Sequence, residues 1–354
     1  MTKVRVLVVE DSLTVRARLV EVISSDPGLE VVGEAGDGKS AIELCERLRP
    51  DVITLDMMLP VMTGLAATEF IMAHFPTPIL VVSASFNRGE MFKTYDALAA
   101  GAVDVLEKPS GEEEPGVWER QFLSSLRVVA RVKVITHVRA RLGGWSHMPR
   151  TSDGHRASGE TPKLLVIGVS TGGPSALVEI LRALPKSFSA PILIVLHIAA
   201  PFARSFGDWL EAQVGREVRY AKGGERLAQL GGVIRLAPAD QHLLIENERL
   251  ALSSGPERHS CRPSVDVFFE SVARGPAPVT VACLLTGMGK DGATGLLALR
   301  HAGALTIAQD EATSVVYGMP REAALLGAAT HVWGLPEIGP RLAELFQAGG
   351  AGGE

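Results

Sequence analysis

Cysteine is scarce in this chain: Cys45, Cys261 and Cys283 are the only three in 354 residues, odd in number and widely scattered. No disulfide framework and no zinc-ligand spacing can be assembled from them, which suits a reducing cytoplasm. Cys45 and Cys283 stand in apolar runs and read as small core residues. An excess of positive charge is missing too. Lys+Arg total 35 against 40 Asp+Glu, a formal net charge of −5, which gives no bulk attraction for nucleic acid or an anionic membrane. Long apolar runs are also absent. Val4 to Val9 is short and stops at Glu10-Asp11, unlike a signal peptide. The stretch from Ala190 to Ala203 contains His197 and Pro201 and cannot span a bilayer. There are no internal repeats and no helix-turn-helix pattern. These absences lead to the expectation of a cytoplasmic, monomeric protein that neither inserts into a membrane nor binds nucleic acid.

What is present is a globular composition, 46% hydrophobic and 21% charged, long enough for two α/β domains with separate cores. Short β-branched runs at Val4–Val9, Val31–Glu34, Val52–Leu55, Pro78–Ser83 and Val103–Leu106 alternate with helically spaced stretches such as Thr14–Ser24 and Ser40–Leu48. Five strands alternating with helices predict a flavodoxin-like (βα)5 domain whose parallel sheet is covered on both faces. One long helix with a basic face is predicted from Val117 to about Arg141. A Gly-, Ser-, Thr- and Pro-rich linker follows, from Gly143 to Pro162. A second, doubly wound α/β pattern starts at Lys163, with strands at Leu164–Val169, Ile192–His197 and Val279–Thr286. A small antiparallel portion is expected between Gly232 and Leu252. The division adopted is 1–125 for the first domain, 126–161 for helix and linker, 162–346 for the second domain, and 347–354 for a disordered tail.

In the first domain Glu10 and Asp11 follow the first predicted strand, Asp56 the third, Ser83 ends the fourth and Lys108 follows the fifth. Ligand sites of open α/β sheets lie outside the carboxyl ends of the strands, so these groups should meet. Crowded carboxylates need a cation, and an oxygen-only set favours Mg²⁺. Such a set can hold Mg²⁺ and accept a phosphoryl group on Asp56, with Ser83 and Lys108 sensing the new charge. Any one of these carboxylates alone reads better as a helix cap or a solvated strand end, and only the whole set in this order favours the phosphoryl site.

In the second domain the decisive stretch is GVSTGGP, residues 168 to 174, between a strand and a helix. As a dinucleotide cradle it departs from G-x-G-x-x-G, because Ser170 stands where the backbone must approach the pyrophosphate. The acidic residue expected at the end of the next strand is also replaced by His197. As a nucleophile site it is better supplied. Ser170, His197 and Asp291 (in TGMGKDG, 286–292) all fall at carboxyl ends of predicted parallel strands. They offer a hydroxyl, a base and a group to orient that base. Backbone N–H groups at the start of the helix containing Pro174 and in the turn 287–289 are natural oxyanion donors. Each residue has a plainer reading: Ser170 as a helix N-cap, His197 as a structural histidine, Asp291 as a turn residue. His242, His259 and His301 are rival bases.

Residues 1 to about 125 resemble a two-component receiver domain through LVVEDS (7–12), LDMMLPVMTGL (55–65), VVSA (81–84) and EKPS (107–110). The resemblance implies Asp56 as phosphoacceptor, Glu10, Asp11 and Asp56 as Mg²⁺ ligands, and Ser83 with Lys108 as the switch. Met62-Thr63-Gly64 departs from a frequent Met-Asp-Gly. From Lys163 to about Leu345 the chain resembles the catalytic domain of chemotaxis protein-glutamate methylesterases, the CheB family. The matching stretches are IGVSTGGP (167–174), His197 with PFARSF (201–206), LAPADQH (236–242), CRPSVDVFF (261–269), LLTGMGKDGATGL (284–296) and VVYGMPREA (315–323). That resemblance implies a Ser170–His197–Asp291 triad, the N–H of Met288 as an oxyanion donor and Thr171 beside the nucleophile. It also implies methylated cytoplasmic helices of chemoreceptors as substrate, deamidation of selected glutamines, a histidine kinase as phosphodonor, and no organic cofactor. Ile198-Ala199-Ala200 and His259-Ser260 depart from the family's usual residues near the substrate groove. The rival architectures are a receiver joined to a nucleotide-binding oxidoreductase or to a non-catalytic docking domain.

Overall fold

The computed structural model describes residues 3–84, 88–109, 114, 116–132 and 162–347. These fall into two compact units that divide between Leu142 and Gly143.

The first unit runs β1 (Val4–Val9), α1 (Leu13–Ser24), β2 (Leu29–Ala35), α2 (Gly38–Leu48), β3 (Val52–Leu55), α3 (Gly64–His74), β4 (Ile79–Ser83), α4 (Arg88–Ala99), β5 (Asp104–Glu107) and α5 (Val117–Val129). All five strands are parallel, in the order β2-β1-β3-β4-β5. The chain reverses direction between β1 and β3, so the crevice for a ligand opens at their carboxyl ends. Short polar side chains start the helices. Ser12 caps α1, Asp37 caps α2, and Thr63 caps α3 by accepting from the Ala66 N–H; the threonine of Met62-Thr63-Gly64 thus does the ordinary work of an N-cap. Gly64 is required by close approach, since a Cβ there would collide with the Asp56 carbonyl oxygen.

The predicted helix to Arg141 is corrected by the structure. α5 ends at Val129, and the N–H groups of Ala130, Arg131 and Val132 close turns onto Leu126, Val128 and Val129. The β-branched run from Val128 onward holds a helix weakly, and the apolar face of α5, Trp118, Phe122, Leu126 and Val129, is already buried there. The remainder of that helix and the linker from 133 to 161 lie outside the described residues.

The second unit runs β6 (Leu164–Val169), α6 (Gly173–Ala183), β7 (Ile192–Leu196), α7 (Ala200–Val214), β8 (Val218–Tyr220), β9 (Ile234–Leu236), β10 (His242–Glu246), β11 (Arg249–Ser253), α8 (Val265–Ala273), β12 (Thr280–Leu284), α9 (Ala293–His301), β13 (Leu305–Gln309), α10 (Met319–Leu325), β14 (His331–Trp333) and α11 (Leu335–Gln347). Seven strands form one parallel sheet, β14-β13-β12-β6-β7-β9-β8, and β10 with β11 forms an antiparallel pair. The antiparallel portion is therefore smaller than expected. Residues 234–236 instead join the large sheet in parallel beside β7 and β8, because Ile234 and Leu236 are both buried in its core. Gln347, assigned by sequence to the tail, closes α11; residues 348–354 lie outside the described set. The chain leaves β6 toward β7 on one side and returns through β12 on the other. That makes the end of β6 the topological switch point, where ligands of such sheets bind.

Candidate active site

Every residue of β6 is buried, and Ser170 is the first to emerge at its carboxyl end. The Ser170 N–H donates to the Thr286 carbonyl beyond β12, and the His197 N–H beyond β7 donates to the Val169 carbonyl. Val169 lies opposite Leu196 in the register, so Ser170 and His197 stand side by side at about one strand spacing, ~4.8 Å. Ser170 lies outside the left-handed region, and Gly172 carries that conformation (φ 77°). The G-x-S-x-G stretch therefore turns at its second glycine rather than at a strained serine. A Cβ on Gly172 would lie 2.5 Å from Cβ of Val315, and one on Gly287 would lie 2.7 Å from Cβ of Ser170. Gly287 thus leaves room for the serine, and Gly172 leaves room for Val315.

His197 is tied to Asp291 by a 2.9 Å hydrogen bond from Nε2 to Oδ2. Ionised carboxylates only accept, so this bond puts the proton on Nε2 and leaves the lone pair on Nδ1. Asp291 is buried, and four donors fill its two oxygens. Oδ1 accepts from the Ser264 hydroxyl (2.7 Å) and the Asp266 N–H (3.0 Å), and Oδ2 from the Val265 N–H (2.7 Å) and His197. Three of these donors, Ser264, Val265 and Asp266, belong to the N-terminus of α8, whose cap is Ser264, and the positive end of the helix dipole faces the carboxylate. Burial pushes the Asp291 carboxyl up, but the bonds from His197, Ser264 and Asp266 outweigh it and hold the group below the ordinary carboxylate range. Burial draws His197 toward its neutral form. The bond to Asp291 and the neighbouring Cys261 overcome this and raise the imidazole to about 9.

Cys261 was not singled out by sequence, yet its Sγ lies 3.8 Å from Nδ1 of His197. Ser264 was missed as well. Both lie in CRPSVDVFF, and the signal available was a Ser-x-Asp pattern opening an apolar helix. Among the described residues the Ser170 hydroxyl makes no hydrogen bond to His197. Thr171 is fixed from behind, its carbonyl accepting from the Thr286 hydroxyl at 2.9 Å. The Met288 side chain is exposed, and its N–H bonds to no described residue. The adjoining turn is fastened by the Gly318 and Met319 N–H groups on the Gly287 carbonyl. The rival histidines are accounted for elsewhere. His242 is buried between the Pro256 carbonyl and the Ser264 N–H, His259 binds Asp266, and His301 ends α9. A broad cleft at the amino ends of β6 and β7, lined by Leu164, Phe188, Pro191 and Phe346, contains no His, Asp or Cys, and the His197–Asp291 pair lies at the opposite sheet edge.

In the first unit the carboxylate oxygens of Glu10, Asp11 and Asp56 lie within 4.8 Å of one another. Lys108 Nζ lies 2.8 Å from Oε2 of Glu10 and 2.9 Å from Oδ2 of Asp56. Its hydrogen bond to Glu10 goes to Oε1, at 3.1 Å, and buried Oε2 accepts none. Burial, reinforced by Asp56, keeps the Glu10 carboxyl above its ordinary range despite Lys108. One ammonium thus pairs with two of the three carboxylates, and a hard divalent cation with oxygen ligands fits the remaining charge. The Lys108 N–H donates to the Ser83 carbonyl, and the buried Ser83 hydroxyl meets Thr94 of α4 at 3.4 Å.

A parallel five-stranded acidic-cluster domain followed by an α/β unit with a His–Asp pair beside a strand-end serine defines a response regulator with a hydrolase-type effector. The family model described as "CheB methylesterase" matches residues 165–342, and that described as "Response regulator receiver domain" matches residues 6–115. The chain is 41% identical over 349 residues to protein-glutamate methylesterase/protein-glutamine glutaminase 4 of Myxococcus xanthus, covering 98% of each chain. It is 41% identical over 346 residues, 97% of each chain, to the protein of the same description from Nitrosospira multiformis. The crystal structure of the Thermotoga maritima CheB methylesterase catalytic domain matches 52% of this chain and 100% of its own, at 36% identity and a TM-score of 0.49. The chain belongs to the CheB methylesterase family, with an N-terminal receiver domain.

Proposed function

We propose that this protein is a phosphorylation-activated esterase that removes methyl groups from glutamate γ-methyl esters on the cytoplasmic helices of chemoreceptors. The observation that carries the reading is the His197–Asp291 pair held one strand spacing from Ser170. His197 Nδ1 takes the proton of the Ser170 hydroxyl as its oxygen attacks the ester carbonyl. The oxyanion is met by backbone donors, the Met288 N–H among them. The C–O bond to methoxide breaks, and His197 returns the proton to release methanol. Water deprotonated by His197 then cleaves the acyl-serine, freeing the glutamate carboxylate and Ser170. A glutamine amide enters the same sequence with ammonia as leaving group, which supports deamidation as a second activity, in keeping with the double names of the relatives.

The receiver supplies control. Asp56 accepts a phosphoryl group from a histidine kinase, and Glu10, Asp11 and Asp56 are the residues that would hold Mg²⁺, which supplies charge neutralisation to the transferring group. Lys108 and Ser83 then reorganise around the phosphate. Without phosphate the receiver withholds the Ser170 cleft from the receptor helix. No organic cofactor enters the scheme.

The test is methanol release from methylated receptor membranes by wild type and Ser170→Ala, each with and without a small phosphodonor and Mg²⁺. Release that depends on Ser170 by at least about 10³-fold and rises with phosphodonor is expected. Equal release by both proteins overturns the nucleophile. Release insensitive to phosphodonor overturns the gate.

A further inference from the structure

The hydrogen bond that orients His197 also leaves a metal-binding lone pair aimed at a thiol. With Nε2 committed to Asp291, the imidazole presents Nδ1 toward Cys261 Sγ, 3.8 Å away. A tetrahedral Zn²⁺ with Zn–S of about 2.3 Å and Zn–N of about 2.0 Å separates its sulfur and nitrogen ligands by ~3.6 Å. The pair is therefore spaced for a shared ion with almost no movement. Asp291 completes the arrangement from behind. Its oxygens already hold four donors, so it serves as the carboxylate partner that fixes the tautomer of a ligating histidine.

The backbone that carries the thiol is held in place, and the thiol itself donates to the His259 carbonyl at 3.4 Å. Cys261 closes a tight turn in which its N–H donates to the Arg258 carbonyl (3.0 Å) and its carbonyl accepts from the Arg258 N–H (3.2 Å). His259 and Ser260, between them, sit in the left-handed region at φ 53° and 58°, a conformation that non-glycine residues adopt at a cost. The turn is clamped to α8 by His259 Nε2 on Asp266 (3.1 Å) and Arg258 on Glu270 (2.7 Å). Neither Cys261 nor His197 is fully buried, so an ion has access.

We propose that His197 and Cys261 form a binding site for a thiophilic divalent cation, Zn²⁺ above all, and that its occupation shuts off the hydrolase. The ion displaces to solvent both the thiol proton and the proton that Nδ1 carries when the imidazole is charged, and it takes the Nδ1 lone pair that would otherwise receive the proton of Ser170. Water fills the two remaining tetrahedral positions. The soft thiolate and borderline imidazole select Zn²⁺ over Mg²⁺, whose oxygen ligands lie in the other unit. The inhibitory half rests on the esterase reading above; the binding half does not.

The experiment titrates the full chain, with excess Mg²⁺ present, with Co²⁺ as a spectroscopic probe. One equivalent is expected to raise a thiolate-to-cobalt charge-transfer absorption that Zn²⁺ displaces. Cys45 and Cys283 are buried in their cores, so the band reports Cys261. It should vanish in Cys261→Ser and weaken about 10–100-fold in apparent affinity in Asp291→Asn, with circular dichroism confirming the fold of each. No band in the wild type, or one unchanged in Cys261→Ser, overturns the site. Methanol release, scaled to each protein's own metal-free rate, is then expected to fall with Zn²⁺ in the wild type and recover with chelator. Cys261→Ser should need at least about tenfold more Zn²⁺. A band without any effect of Zn²⁺ on release overturns the inhibition. A band in a protein with no metal-free release leaves the site standing and overturns the esterase reading instead.

Discussion

In the proposed reaction His197 meets two demands that oppose one another. A general base must be neutral to act, yet Asp291 and Cys261 favour its charged form and raise it to about 9. The rate of methanol release should therefore climb through the neutral range and level off only near pH 9. Cys261→Ser removes one of the groups that raise His197 and should move that limb toward lower pH, measured as kcat/KM against pH. An identical limb in the variant would show that the thiol does not act on the imidazole. The same shift has a stability consequence of fixed sign. The folded protein holds the proton more tightly than a free imidazole of pKa 6.5. The stabilisation is thus complete below about pH 6.5 and is lost as pH rises through 9. Denaturation midpoints of wild type and His197→Gln should differ less at pH 10 than at pH 6.

At the scale of the element, α8 is both a structural helix and the mount for Asp291. Ser264 caps it through the Val267 N–H and donates to Asp291 Oδ1. Ser264→Ala removes both bonds. Loss of the cap alone costs about 0.5–2 kcal/mol, read as a lower denaturant midpoint, and a fall in kcat should accompany it because Asp291 loses a donor. Gly287→Ala acts at the other side of the cleft. Its Cβ falls 2.7 Å from that of Ser170, and a displacement of the nucleophile by about 1 Å can cost about 10²-fold in rate. A stability loss without a rate loss would show that the turn yields instead of the serine. The sequence made the five strands of the first unit and β6, β7 and β12 legible, because buried β-branched runs such as 164–169 carry local signals. It also brought His197 and Asp291 to the same sheet edge. It did not reveal Cys261 beside His197 or Ser264 beneath Asp291. Those contacts depend on a turn whose left-handed residues, His259 and Ser260, are not the usual glycine or asparagine. Ile234–Leu236 was misplaced for a similar reason: three residues are too few to show whether a strand pairs in parallel or in a hairpin.

Across the whole chain, two sheets present their working residues at carboxyl edges, and the proposed control needs charge at one to alter access at the other. In that proposed control the coupling begins at Lys108. Its ammonium is shared by Glu10 and Asp56, and phosphorylation replaces the single charge of Asp56 with a phosphate of about −1.5 to −2 charges within its reach. Lys108 must then redistribute its contacts. Its N–H is fixed to the Ser83 carbonyl, and the Ser83 hydroxyl meets Thr94, so the rearrangement reaches the end of β4 and the face of α4. Asp56→Asn should keep the fold and the unstimulated rate, since the amide retains the shape. It should abolish the rise in methanol release that a small phosphodonor and Mg²⁺ produce in the wild type, a rise of about 5–150-fold for a coupling of ordinary strength. Lys108→Ala separates the two stages. Asp56 should still take up phosphate, detected as acid-labile label on the protein, while the rate stays near its unstimulated value. If Lys108→Ala responds to phosphodonor as fully as the wild type, the signal leaves Asp56 by a route other than β5, and Ser83→Ala becomes the variant that locates it.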